Sequence, residues 1–89
     1  MSTKSWVVNV TIDEDGDDTF ADAALGLENK AEIHGRGMSR RNPRDESEPR
    51  IGDELATARA LSDLAHQLLS AAASDIESRT HEPVRSLQL

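Results

Sequence analysis

Cysteine is absent from this 89-residue chain, and that one absence excludes disulfides, thiolate metal sites and cysteine nucleophiles together. It also fits a reducing compartment, so a cytoplasmic location is expected. Aromatic residues are nearly absent as well: one tryptophan, one phenylalanine and no tyrosine. Surfaces that stack unpaired bases need several exposed rings, which argues against single-stranded nucleic acid as a ligand. No run approaches the ~18 apolar residues that cross a bilayer. The N-terminus, Met1 to Trp6, leads straight into an alternating pattern and has no signal-peptide core.

Positive charge is the next scarcity. Ten Lys and Arg stand against 17 Asp and Glu, for a net charge of −7, whereas nucleic-acid binding draws most of its affinity from cations that neutralise phosphates. The charge is segregated along the chain. Arg36, Arg40, Arg41, Arg44 and Arg50 are half of all the cations, while Asp13, Glu14, Asp15, Asp17, Asp18 and Asp22 form an acidic segment. A chain this short buries only about 60–65% of its unfolded surface. With no disulfide or metal to support a thin core, oligomerisation is the expected support.

Three short segments precede one long one. Residues 5–13 alternate, with Trp6, Val8, Val10 and Ile12 on one side and Ser5, Asn9, Thr11 and Asp13 on the other, Val7 being the exception, which predicts a half-buried strand. Asp15-Gly16 is a turn signal. Residues 19–27 place Ala21, Ala23, Leu25 and Leu27 on one face. Alanine weakens the strand assignment and a short helix competes, but the segment's length and the preceding turn favour a strand returning against the first. Glu28-Asn29-Lys30 makes a second polar turn. Residues 31–40 put Ile33, Gly35, Gly37 and Ser39 on one face, and two glycines there predict close approach by another element, the long helix being the candidate. Residues 41–50, with two prolines and many charges, read as a loop.

A helix is predicted from about 52 to 79, close to a third of the chain, with Asp53 and Glu54 in its first turn, where the macrodipole favours acids. At 100° per residue, Ile51, Leu55, Ala58, Ser62, Ala65, Leu69, Ala72 and Ile76 form one stripe, with Leu61, Leu64 and Leu68 beside it. The apolar arc is about 180° wide, against the ~100° that a one-sided surface helix needs. One flank is expected to cover the sheet. The Leu61, Leu64 and Leu68 flank is then left for a partner in a symmetric dimer, unless the tail or a loop covers it. Thr80-His81-Glu82-Pro83 stops the helix, because the residue before proline leaves the α region. Residues 80–89 form a tail whose Val84 and Leu87 could dock on the body or on a partner. The predicted architecture is a single α+β domain in β-β-β-α order: an antiparallel sheet of three or four strands covered on one face by one long C-terminal helix.

Little in the chain points to chemistry. The run from Asp13 to Asp18 fails the EF-hand spacing, because glycine falls fourth and Ala24 stands where the bidentate glutamate is needed; an acidic hairpin turn explains it. His34, His66 and His81 are too scattered for a ligand set, and no His-x-x-x-His pair exists. His66, one turn from Asp63, reads as a surface contact. Gly35-Arg36-Gly37 is not a phosphate loop, and no two carboxylates are singled out for acid–base work. No catalytic residue, cofactor, metal or small-molecule substrate is therefore expected, and the chain reads as a non-enzyme. The arginines are the remaining signal. The plain reading is a solvated loop with offsetting acids Asp45, Glu46 and Glu48. The sharper one sets Arg36, Arg40, Arg41 and Arg44 in a phosphate-facing strip suited to the shape of a folded RNA.

Several blocks carry a family resemblance: Trp6-x-Val8-x-Val10-x-Ile12, Gly35-x-Gly37, Asn42-Pro43-x-Asp45, Ile51-Gly52-Asp53-Glu54-Leu55-Ala56, Ala58-Arg59-Ala60-Leu61-Ser62-Asp63-Leu64, and Ser74-Asp75-Ile76-Glu77-x-x-Thr80-His81-x-Pro83. The chain resembles a small actinobacterial family of unknown function whose fold is similar to that of double-stranded RNA-binding domains. The resemblance implies a sheet of three or four strands under a long helix, dimeric assembly, a link of some members to dormancy and hypoxic stress, and a shape similar to ribosome hibernation factors. The ribosome or a structured RNA is the partner implied. The alternative is a protein-interaction module with no nucleic-acid role. This chain departs from the family in its second strand, where Phe20-Ala21-Asp22-Ala23-Ala24 lacks the basic residues expected there.

Overall fold

A computed structural model describes residues 1–28, 31–44, 46 and 48–87. Asn29 and Lys30 of the expected second turn, Asp45 and Ser47 of the expected loop, and Gln88 and Leu89 of the tail lie outside the described residues. Three antiparallel strands, β1 (Val8–Asp15), β2 (Asp18–Leu25) and β3 (Ile33–Arg40), lie in the order β1-β2-β3, followed by one helix, α1 (Pro49–Thr80). The architecture is α+β in β-β-β-α order, as the residue pattern predicts.

The first turn is a two-residue hairpin, with Asp15 opposite Asp18 and Gly16 at φ 61°. A positive φ at the first turn position matches the twist of the flanking strands, and only glycine adopts it without steric cost. Residues 18–25 form a strand despite their alanines. The reason is tertiary: Ala21, Ala23 and Leu25 are buried beneath the helix, and small side chains are what that space admits.

Close approach of α1 to β3 defines the fold. A methyl group on Gly35 would run into the Leu64 amide nitrogen and the Ala60 carbonyl, and would lie 2.7 Å from the Leu64 Cα. One on Gly37 would meet the Ala56 carbonyl and the Ala60 nitrogen, with Arg59 Cβ at 2.7 Å. The predicted groove is therefore real, and helix backbone rests in it. At the start of the helix, Ser39 Oγ donates to the Gly52 carbonyl at 2.9 Å, and Thr19 and Ser39 are buried below. Farther along, larger side chains take over as Leu25 and Leu64 complete the core, with Leu27, Ile33 and Leu68 packed against it.

The helix therefore faces the sheet with a stripe of period four: Gly52, Ala56, Ala60, Leu64 and Leu68. This corrects the expected geometry. Leu64 is 3% exposed and belongs to the protomer core, Leu68 is half-buried against it, and only Leu61 is open at 43%. The stripe containing Ile51, Leu55 and Ile76 is the exposed one. Periodicity measured the width of the apolar arc; the glycines of β3 decide which part of it can come close.

The helix starts earlier than expected, at Pro49, which occupies its first turn. Proline suits that position because its φ is preset and its missing N–H would have no partner there. Asp53 and Glu54 consequently sit in the second turn, and no acid lies in the first. The predicted stop falls at Thr80, where His81 adopts a left-handed conformation (φ 59°) and its amide donates to the Glu77 carbonyl at 2.8 Å. Behind it the Val84 amide donates to Glu77 Oε1 at 2.8 Å, turning the tail back on the helix end.

At ~1.5 Å per residue a helix of 32 residues is about 48 Å long, while strands of eight residues reach only about 26 Å. α1 therefore overhangs the sheet, and the molecule measures 53 × 30 × 23 Å. Ala72 and Ile76, both exposed, lie toward the projecting end.

Candidate binding surface

The two edges of the sheet are treated differently. At β3 the Arg36 amide donates to Asp63 Oδ2 at 2.8 Å, and Arg59 Nη1 donates to the Met38 carbonyl at 2.8 Å. Two side chains of α1 thus reach down and satisfy backbone groups along that strand. Residue pattern did not single out Asp63 and Arg59 for this role, because covering an edge needs only a polar side chain at the right height on the helix. His66 does not pair with Asp63; its Nδ1 lies 2.8 Å from the Ser62 carbonyl.

β1 is at the opposite edge. α1 packs on β3 and the inner strand and barely reaches β1. Val8, Val10 and Ile12 stand opposite Leu25, Ala23 and Ala21, so they share the helix-facing side of the sheet. Those β2 neighbours are buried, whereas Val8, Val10 and Ile12 remain 38–40% exposed. The expected half-buried first strand is therefore exposed along its whole length. Trp6, which continues its alternation, and Val7, which breaks it, are more exposed still and lie before the last residue paired to β2. Trp6, Val8, Val10 and Ile12, with Leu61 on the helix flank opposite Arg59, make an open apolar step.

The other side of the sheet is polar at its ends and apolar in the middle. Phe20 and Met38 are paired neighbours there, both about two-fifths exposed. Arg36 and Arg40 lie on this face, and each meets a carboxylate across the strand: Arg36 Nε is 3.3 Å from Asp22 Oδ1, and Arg40 Nε is 2.7 Å from Asp18 Oδ1. Arg41 Nη2 lies 2.6 Å from Asp17 Oδ1. Arg44 is exposed beyond the strand end, its amide donating to Asn42 Oδ1 at 3.0 Å. Cross-strand register thus sets three of the four predicted arginines on acids of the adjoining hairpin. Asp22 also takes the His34 ring at 2.9 Å.

Hydrogen bonds from Arg40 hold the Asp18 carboxyl below its ordinary range, and Asp18 in turn raises Arg40. A depressed carboxyl contributes stability that is present above its unfolded pKa of about 3.9 and is lost as pH falls through the lower folded value. The pair is solvent-exposed, so the effect is small. Urea midpoints of the wild type and Asp18→Asn are expected to differ at pH 7 and to converge as pH is lowered below about 4. A gap that stays constant with pH would show that the pair contributes nothing.

A cleft of about 230 Å³ lies between the first hairpin turn, the end of β3 and the start of α1, with Asp17, Ser39, Arg41, Ile51 and Leu55 among its walls. It is small for a ligand pocket. Among the described residues no group of His, Cys, Asp and Glu could hold a metal ion, and no helix is long and apolar enough to cross a membrane.

These features define a class: a small α+β protein with a helix set directly on a glycine-bearing strand, one edge covered and the other left open. The chain belongs to the Rv2632c-like family, whose model matches residues 4–85. It is 48% identical over 82 residues to the uncharacterised protein Mb1767 of Mycobacterium bovis, covering 92% of this chain and 86% of that protein. It is 46% identical over 84 residues to the uncharacterised protein Rv2632c of Mycobacterium tuberculosis, covering 94% and 89%. The crystal structure of Rv2632c superposes with a TM-score of 0.83 at 44% identity, over 93% of this chain and 98% of that one.

Proposed function

We propose that this protein acts by binding another protein, without catalysis and without a nucleic-acid role. The observation that carries this reading is the open step itself. Three β-branched side chains, a tryptophan and a helix leucine stay in water on a protein whose buried apolar core, among the described residues, consists of four alanines and two leucines. A contiguous exposed apolar surface beside so thin a core is characteristic of an interaction site.

The RNA and ribosome reading implied by the likeness to double-stranded RNA-binding domains rests on the arginines. Arg36, Arg40 and Arg41 are each already paired with an aspartate, so binding phosphate would first have to break those contacts. A net charge of −7 adds a long-range repulsion. The association with dormancy adds no residue that would strengthen it.

Co-sedimentation with purified ribosomes and gel shift with double-stranded RNA, each across a salt series, test the choice. No complex is expected at the lowest salt, about 50 mM, where phosphate contacts are strongest. A complex that forms there and weakens steeply with added salt overturns the protein-binding reading.

A further inference from the structure

We propose that the partner on the open step is a second copy of this chain, joined through β1 to make a continuous six-stranded antiparallel sheet. The proposal rests on the protein-binding reading and names its partner.

An uncovered edge strand offers unpaired N–H and C=O groups, and proteins that stay monomeric protect such edges with charges, proline, bulges or a covering element. This chain protects one edge and leaves the other: Asp63 and Arg59 of α1 bond the outer groups of β3, and the helix barely touches β1. From Trp6 to Ile12 the open strand contains no charge, no proline and no glycine.

Strand patterning also runs farther than the protomer can use. β2 pairs β1 only as far as Val8, yet the apolar alternation continues back to Trp6, which is 62% exposed. A strand added on the outer edge gives those residues a partner.

Charge then selects the register. With Asn9 on a two-fold axis, Trp6 lies opposite Ile12 of the second copy, Val8 opposite Val10, and Lys4 opposite Glu14. Each pair forms twice, and the acids at the C-terminal end of β1 meet the uncharged or basic start of the other strand. Moving the axis to Val10 would put Glu14 against Trp6 and Asp13 against Val7. Moving it to Val8 would set Lys4 against Ile12. Like or unmatched pairs directly opposite cost stability in an antiparallel ladder, while apolar and opposite-charge pairs contribute to it. In the Asn9 register, Trp6, Val8, Val10 and Ile12 of both copies fall on the helix-facing side. They make one apolar strip between the two helices, with Leu61 on each wall.

The absence of cysteine makes the test clean. Residues directly opposite in an antiparallel pair have Cα atoms about 4.5–5.5 Å apart, within disulfide reach. Asn9→Cys should therefore cross-link to itself under mild oxidation far more completely than Ser74→Cys, a control on the exposed helix. Sedimentation equilibrium of the intact wild-type chain should give twice 9.7 kDa at tens of micromolar. Val10→Asp should shift the mass to the monomer while helical circular dichroism is retained. A wild-type monomer at those concentrations overturns the proposal, leaving the protein-binding reading to stand or fall on the ribosome and RNA experiment. A dimer in which Asn9→Cys cross-links no better than Ser74→Cys overturns it as well, by showing that another face is used.

Discussion

Gly35→Ala is expected to abolish folding or to lower the urea midpoint far more than a methyl added at an open glycine of this chain. Its new Cβ would lie within the van der Waals radii of the Leu64 amide nitrogen and the Ala60 carbonyl, with the Leu64 Cα at 2.7 Å. Overpacking a core costs about 1–3 kcal/mol when side chains can change rotamer. Here both walls are backbone, so relief requires α1 to lift off β3, which would also separate Ala56 and Ala60 from the sheet and break the Asp63 and Arg59 contacts to the strand edge. A loss of about 3 kcal/mol or more is expected, against a total stability of about 4–13 kcal/mol for a chain of this length. Gly37→Ala should behave in the same way. Gly26→Ala meets nothing within 4 Å and is expected to change stability by no more than about 0.5 kcal/mol. Equal midpoints for the Gly35 and Gly26 variants would contradict the helix placement.

Leu64→Ala is expected to cost about 2–5 kcal/mol, the range for emptying a core leucine site, whereas Ile76→Ala should stay within about 0.5 kcal/mol. Both residues lie in the apolar arc of the same helix. Leu64 is 3% exposed and clusters with Leu25 at the wide end of the helix–sheet wedge; Ile76 is 42% exposed on the segment that projects past the sheet. Thermal or urea denaturation at constant protein concentration reads the difference directly. Similar losses at the two sites would mean that the projecting segment is packed as tightly as the core.

These two residues also mark where residue pattern stops being informative. Helical period places both in the apolar arc and can show that the arc is too wide for one surface. It cannot say which flank faces the sheet, because leucines on either flank have equal hydrophobicity. Gly35 and Gly37 settle the matter sterically: a helix allowed to approach so closely must do so with its smallest side chains, so the alanine stripe turns inward and takes Leu64 with it. The expected partner-facing row of Leu61, Leu64 and Leu68 is broken up for that reason, with only Leu61 left open.

The first strand shows the same limit from the other side. Alternation in Trp6, Val8, Val10 and Ile12 defines a strand and its apolar face, and register with β2 puts that face on the helix side. Whether the face is covered depends on where a helix about 10 Å wide comes to rest on the sheet. The glycines draw it over β3, and β1 is left outside its reach. Likewise, a cluster of arginines can be counted along the chain, but cross-strand register alone reveals that Asp22, Asp18 and Asp17 meet them.

Local order along the chain is thus sufficient to determine the elements, their sequence and their two-sided character. Alternation, turn chemistry and helical period act over a few residues; only β2, whose alanines leave a helix open as an alternative, needed its tertiary surroundings to settle it. Tertiary structure alone decides which apolar residues are core and which are surface, which charges are already neutralised, and which sheet edge is open. Those properties depend on the distance of closest approach between α1 and β3, and that distance is set by two missing side chains.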